Sequence, residues 1–121
     1  MKLEFYKYEG AGNDFVLIDN RSGCLSLTPN EVEMLCHRNL GIGGDGLMLI
    51  EQLDGYDFYM RYYNSDGSEV GMCGNGGRCI ALFAHHLGIG GKIKQFRAKD
   101  GDHTAEIIRS DDRMGIISVR L

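Results

Sequence analysis

Cys73-Gly74-Asn75-Gly76-Gly77-Arg78-Cys79-Ile80-Ala81-Leu82-Phe83-Ala84-His85-His86-Leu87 is the stretch whose reading decides the fold. Its start is glycine-rich, and from about Asn75 to Leu87 it reads as a helix. Ile80, Leu82, Phe83, Ala84 and Leu87 spread apolar groups over most of the helix surface. A helix of that kind is buried on several sides. Its cover must come from the flanks, and the flanks read as strands. Residues 3–8, 15–19, 47–52 and 57–63 precede it, and residues 93–98, 103–109 and 114–120 follow. These strands come in runs and do not alternate with helices, which favours an α+β fold over a doubly wound sheet. The expected architecture is a curved, mostly antiparallel sheet or barrel wrapped around a central buried helix.

Turn chemistry punctuates the rest. Residues 10–14, residues 20–23 and Asp54-Gly55 read as turns, residues 64–68 as a loop, and Asp100-Gly101 as a hairpin turn. A second helix starts at Thr28-Pro29-Asn30-Glu31. Thr28 caps it, Pro29 takes its first position, and Glu31 completes a capping box. Val32, Leu35 and Cys36 fall on one face, and Gly41 is the expected stop.

The chain has 121 residues and suits one domain with one core. A net charge of −4 gives no basic footprint for nucleic acid. Charge enters the N-terminal residues at once, so no secretory signal is read there, and no stretch is long and apolar enough to span a bilayer. A cytoplasmic protein is the default expectation. Four cysteines, Cys24, Cys36, Cys73 and Cys79, form no CxxC pair. Cys24, Cys36 and Cys79 read as small buried apolar residues.

Cys73 differs because it stands immediately before the N-terminus of the central helix. Free N–H groups at such an end stabilise negative charge, which favours a thiolate at Cys73 and also suits a bound carboxylate. Gly74, Gly76 and Gly77 leave the backbone open to close approach. That pairing suits removal of an amino-acid α-proton. The thiolate takes the proton, and helix-end amides hold the carboxylate into which charge spreads. The plainer alternative is a glycine-rich turn holding a buried cysteine, and the physics of the segment alone leaves both open.

The wording of three segments goes further. Asn64-Ser65-Asp66-Gly67-Ser68-Glu69 with Met72-Cys73-Gly74-Asn75-Gly76-Gly77-Arg78-Cys79 resembles the first catalytic-cysteine signature of diaminopimelate epimerases. Gly10-Ala11-Gly12-Asn13-Asp14-Phe15 resembles that family's opening motif, and Gly41-Ile42-Gly43-Gly44-Asp45-Gly46 its further glycine-rich motif. The resemblance implies a homodimeric, cofactor-independent enzyme of lysine biosynthesis that interconverts LL- and meso-diaminopimelate. It implies Cys73 as one of two catalytic thiols. It also implies that Gly74 and Asn75 hold the substrate near the reacting carbon, and that Asn13 and Asn64 bind substrate. Some members carry a glutamine ligand where this chain has Gly46, so that role is not carried over. Asp66 reads as a turn residue, Glu69 as structural support, and Arg78 as a salt bridge or cap for the loop.

Other motifs mislead. Gly41, Gly43 and Gly46 match GxGxxG, but between a helix and a strand, the wrong context for a dinucleotide site. His37, His85, His86 and His103 lack metal-ligand spacing and read as solvated or partly buried. The resemblance implies that the second thiol comes from a second, similar domain. Residues 1–121 are therefore expected to be the N-terminal half of a two-domain enzyme, holding half a site and prone to self-association. A cofactor-independent racemase of the proline racemase kind is the related alternative. A non-catalytic binding or assembly module on the same scaffold is the other.

Overall fold

The computed structural model describes residues 3–111 and 115–120. Strands β1 (Tyr6–Gly10) and β2 (Asn13–Asp19) form a hairpin, followed by helix α1 (Pro29–Cys36). Strands β3 (Gly46–Glu51), β4 (Phe58–Asn64) and β5 (Glu69–Val70) lead to helix α2 (Gly74–His86). Strands β6 (Ile93–Ala98), β7 (Gly101–Ser110) and β8 (Gly115–Arg120) complete the order. One sheet holds them all, in the order β1-β2-β3-β4-β6-β7-β8, with β5 beside β4. Only β2–β3 and β4–β6 pair parallel, and the other pairings are antiparallel. Helix α2 touches β1 at one end of that order and β8 at the other. A flat sheet could not do this, so the sheet curls around the helix as expected.

The two parallel pairs explain the burial. A parallel neighbour needs a crossover, and here α1 crosses from β2 to β3 while β5 and α2 cross from β4 to β6. The two helices lie against different faces. Phe15, Leu17, Met48 and Ile50 join the α2 core, whereas Val16, Ile18, Leu47 and Leu49 pack with Val32 and Cys36 of α1. Strands β2 and β3 are thus covered twice and read as continuous apolar runs. Strand β6 is covered once and alternates strictly, with Lys94, Phe96 and Ala98 inward. Phe96 stacks on Phe58 at 4.8 Å between ring centroids, deep under α2. Lys94 is fully buried, and its Nζ donates to the Ile89 and Gly91 carbonyls that end the α2 region.

Several expectations shift in detail. The Thr28 capping box forms as read, but α1 ends at Cys36 and not at Gly41. The Gly43 and Gly44 N–H groups fold back onto the Leu35 and Cys36 carbonyls and satisfy the helix end from outside. β1 begins three residues later and ends two residues later than read, and β5 is an added strand. The β1–β2 turn is only Ala11-Gly12, both at positive φ. The β6–β7 turn is Lys99-Asp100, with Gly101 already paired to Ala98. The last strand begins at Gly115, and Met114 lies outside the described residues. Cys24 is exposed in its polar turn, contrary to expectation, while Cys36 and Cys79 are buried. His103, read as solvated or partly buried, is more deeply buried than that, at 7% exposure.

Candidate active site

Cys73 is the N-cap of α2. Its backbone is extended at φ −113°, and its Sγ accepts the Gly76 N–H at 3.3 Å. Its own carbonyl accepts the Gly77 N–H at 2.7 Å. Among the described residues, the Gly74 and Asn75 N–H groups are left with no partner. Two donors at the positive end of a helix of 13 residues therefore stand open beside an exposed thiol. They are two of the four positions named for substrate from the sequence.

The wall beside the thiol comes from β4. The Tyr62 hydroxyl lies 3.7 Å from Cys73 Sγ. Burial, with the neighbouring Cys73 adding to it, pushes the Tyr62 phenol above its usual range, so it stays neutral. A side chain at residue 46 would meet Tyr62 Cε1 at 2.8 Å and the Tyr63 carbonyl oxygen at 2.9 Å. This backbone therefore requires glycine at residue 46.

A chain of amides links α2 to the opening motif. Asn75 Nδ2 donates to Asn13 Oδ1 at 2.6 Å, and Asn13 Nδ2 donates to Asp45 Oδ2 at 3.1 Å. Arg78 donates to Asn75 Oδ1. A carboxylate at one end and a guanidinium at the other fix which way both amides point. Arg78 thus caps the loop through Asn75, not through a carboxylate. Beyond Asp45, Arg38 bridges Asp45 and Asp14, and Lys7 also reaches Asp14. Arg38 first, then Lys7, hold the Asp14 carboxyl well below the usual range. Its folded value is depressed, so its contribution to stability is present above about pH 4 and is lost as pH falls toward the folded value. The Tm difference between the native chain and Asp14→Asn is therefore expected to be largest near neutrality and to shrink below about pH 4.

Asn64 ends β4, exposed, and is paired in register with Gly46, itself opposite Phe15. That places it two strand spacings from the start of β2, on the order of 10 Å. Among the described residues nothing pairs with its side-chain amide. The structure thus joins Cys73, Gly74, Asn75 and Asn13 by direct contact and sets Asn64 at the same end of the sheet. Asp66 is the turn residue expected, accepting from Ser68 N and Oγ. Glu69 pairs with Arg61. Tyr62 and Asp45 were not named as site residues from the sequence, although Asp45 lies inside a motif that was.

Cys79 points into the core, where burial pushes its thiol up to about 11. Burial also raises the thiol of Cys36. Native chain treated with iodoacetamide near pH 8 is expected to take two adducts, at Cys24 and Cys73, and four after denaturation. Intact mass and peptide mapping would read this. Adducts on Cys79 in the native chain would contradict the burial. Among the described residues, no cluster of His, Cys, Asp and Glu could hold a metal ion, and no helix is long and apolar enough to cross a membrane.

A curled mixed sheet closed on one helix, with a thiol capping that helix beside two open amides, is a half-barrel of the epimerase and isomerase type. The sequence pattern of the diaminopimelate epimerase family matches residues 5–119, and the chain belongs to that family. A diaminopimelate epimerase of Flavobacterium psychrophilum is 46% identical over 98% of this chain and 45% of its own length. One of Chlorobaculum tepidum is 50% identical over 80% of this chain and 38% of its own. The chain thus spans less than half the length of these relatives. A phenazine biosynthesis protein of the PhzF family from Bacillus anthracis shares the fold at a TM-score of 0.73 and 19% identity, over 99% of this chain and 41% of that one.

Proposed function

We propose that this chain supplies one base of a PLP-independent epimerase acting at an α-carbon of diaminopimelate, in the lysine and peptidoglycan precursor pathway. The reading is carried by the Cys73 thiol at the N-terminus of α2 beside the unpaired Gly74 and Asn75 amides. The substrate α-carboxylate docks on those amides, so charge leaving the α-carbon spreads into a group already held by donors. Cys73 as thiolate takes the α-proton and becomes a thiol. Asn75, Asn13 and Asn64 supply polar contacts for the remaining amine and carboxylate groups. No cofactor takes part.

Inversion needs a proton delivered to the opposite face, and Cys79 cannot deliver it from inside the core. The second thiol belongs to a second, similar domain, which makes residues 1–121 the N-terminal half of the enzyme. Homo-oligomerisation goes with this reading. Ile93 and Ile108 are 60% and 55% exposed, and a second copy could cover them or set its own Cys73 opposite the first. The proposed compartment is the cytoplasm, where four unpaired thiols stay reduced.

The test is to incubate the chain with meso- and LL-diaminopimelate in D₂O and follow α-deuterium and configuration together. Incorporation with retention is expected from one working thiol. Incorporation with inversion would support the reading and add a second half-site supplied by another copy. Exchange on proline but not on diaminopimelate would overturn the substrate. Exchange on no amino acid would overturn the catalytic role of this chain.

A further inference from the structure

The β6–β7 turn lies over the segment that leads into Cys73. Asp100 Oδ1 accepts the Met72 N–H at 3.2 Å and meets His103 Nε2 at 2.9 Å. Residue 71 lies flat against the same carboxylate, since a Cβ there would come within 2.7 Å of Asp100 Cβ and Cγ. Beside it, Lys99 Nζ reaches the Glu69 carbonyl at 3.4 Å. One turn therefore holds the main chain from Glu69 to Met72. The next residue is Cys73, whose cap geometry depends on how the chain enters α2. Met72 itself is wedged against the helix, for a Cβ at residue 77 would sit 2.5 Å from its Sδ.

His103 is the informative partner. It projects inward from β7, 5.5 Å from the Phe96 ring, and its Nδ1 is buried without a hydrogen bond among the described residues. A buried polar atom without a partner costs free energy, and an apolar side chain would fill the same place without that cost. Among the described residues, the one hydrogen bond the ring makes is to Asp100. With Nδ1 unpaired, the neutral ring carries its proton on Nε2 and donates it there.

We propose that Asp100 and His103 are positioning residues for Cys73. His103 holds the Asp100 carboxylate in place, and Asp100 holds the Met72 N–H so that the Cys73 sulfur meets the N-terminus of α2. This rests on the reading of Cys73 as the reactive thiol, but it is testable without substrate. Cys24 is exposed in a turn remote in sequence and serves as an internal reference.

The experiment measures the iodoacetamide rates of Cys73 and Cys24 by peptide mass spectrometry in the native chain, Asp100→Ala, Asp100→Asn and His103→Leu. Protection of Cys36 and Cys79 in the same samples reports the fold. Asp100→Ala is expected to slow Cys73 relative to Cys24 by about three- to tenfold, the worth of one ordinary hydrogen bond. Asp100→Asn keeps an oxygen acceptor for both donors and is expected to restore the native ratio. His103→Leu fills the core, leaves Asp100 unheld, and lowers the ratio in the same direction. An unchanged ratio in Asp100→Ala and His103→Leu would overturn the proposal. So would an Asp100→Asn ratio as low as that of Asp100→Ala, since it would make the effect one of charge. If Asp100→Ala exposes Cys36 and Cys79, the decision passes to His103→Leu against Asp100→Asn. A failure here leaves deuterium exchange intact, whereas failure of the catalytic reading removes exchange and leaves these ratios as they are.

Discussion

Cys73→Ser is expected to lower α-deuterium incorporation into diaminopimelate by about 10²–10⁴-fold, the usual contribution of a positioned base, with no loss of thermal stability. The two halves of that expectation come from one geometry. Cys73 caps α2 by accepting the Gly76 N–H, and serine is a preferred residue at that position. The hydroxyl can keep the cap and the chain path from Met72 to Gly74. What it cannot do is ionise as a thiol does, so the base is lost while the helix end survives. Cys73→Ala removes both functions. Loss of a cap costs about 1 kcal/mol, or about 4 °C of Tm in a domain of this size. Serine therefore separates chemistry from architecture, and alanine does not. Retained exchange in the serine variant would remove Cys73 from the mechanism, whatever the family's other members do.

The parts of this molecule that were legible in sequence are those decided by short range. The capping box of α1 needs residues three apart, and it forms. The all-round apolar pattern of α2 required a cover on several sides, and the curled sheet supplies it. The cysteine before the glycines became an N-cap because that is where such residues place a helix end. What the sequence hid is held by partners far along the chain. Gly41 looks like a helix stop, but α1 closes earlier because Gly43 and Gly44 return to cap it. Asn13 and Asn75 are separated by 62 residues and hydrogen-bond directly. Their orientation is set by Asp45 and Arg78, which periodicity cannot pair. His103 had a signal that could have been used. Ala105 and Ile107 face inward on β7, and a period of two carried back along the strand puts residue 103 on the same side. Cys24 likewise sits among Asn20, Ser22 and Gly23, a turn composition that argues for exposure over burial.

Gly67→Ala is expected to destabilise the chain by about 3–4 kcal/mol, and Gly55→Ala by only about 1 kcal/mol, although both glycines have nearly the same backbone. Their φ angles are +91° and +87°, in the left-handed region, so an alanine at either carries a similar conformational cost. The surroundings differ. A Cβ at residue 55 meets nothing within 4 Å, whereas a Cβ at residue 67 lies 2.2 Å from the Pro29 carbonyl oxygen and 2.9 Å from its Cα. Backbone there cannot yield as a flexible side chain would, so the first turn of α1 or the whole 64–68 turn must move. Stabilities of small domains run about 5–15 kcal/mol, so the larger figure is a substantial share, worth roughly 10–15 °C of Tm. The same contact links fold to site. The turn pressed on Pro29 also accepts the Asn64 N–H at Ser68, and Asn64 is the polar group nearest that end of β4. A shift there carries Asn64 with it. Thermal melts of the two variants side by side would decide the matter. Equal losses would mean that backbone strain alone requires glycine at residue 67, and that α1 does not clamp the signature loop.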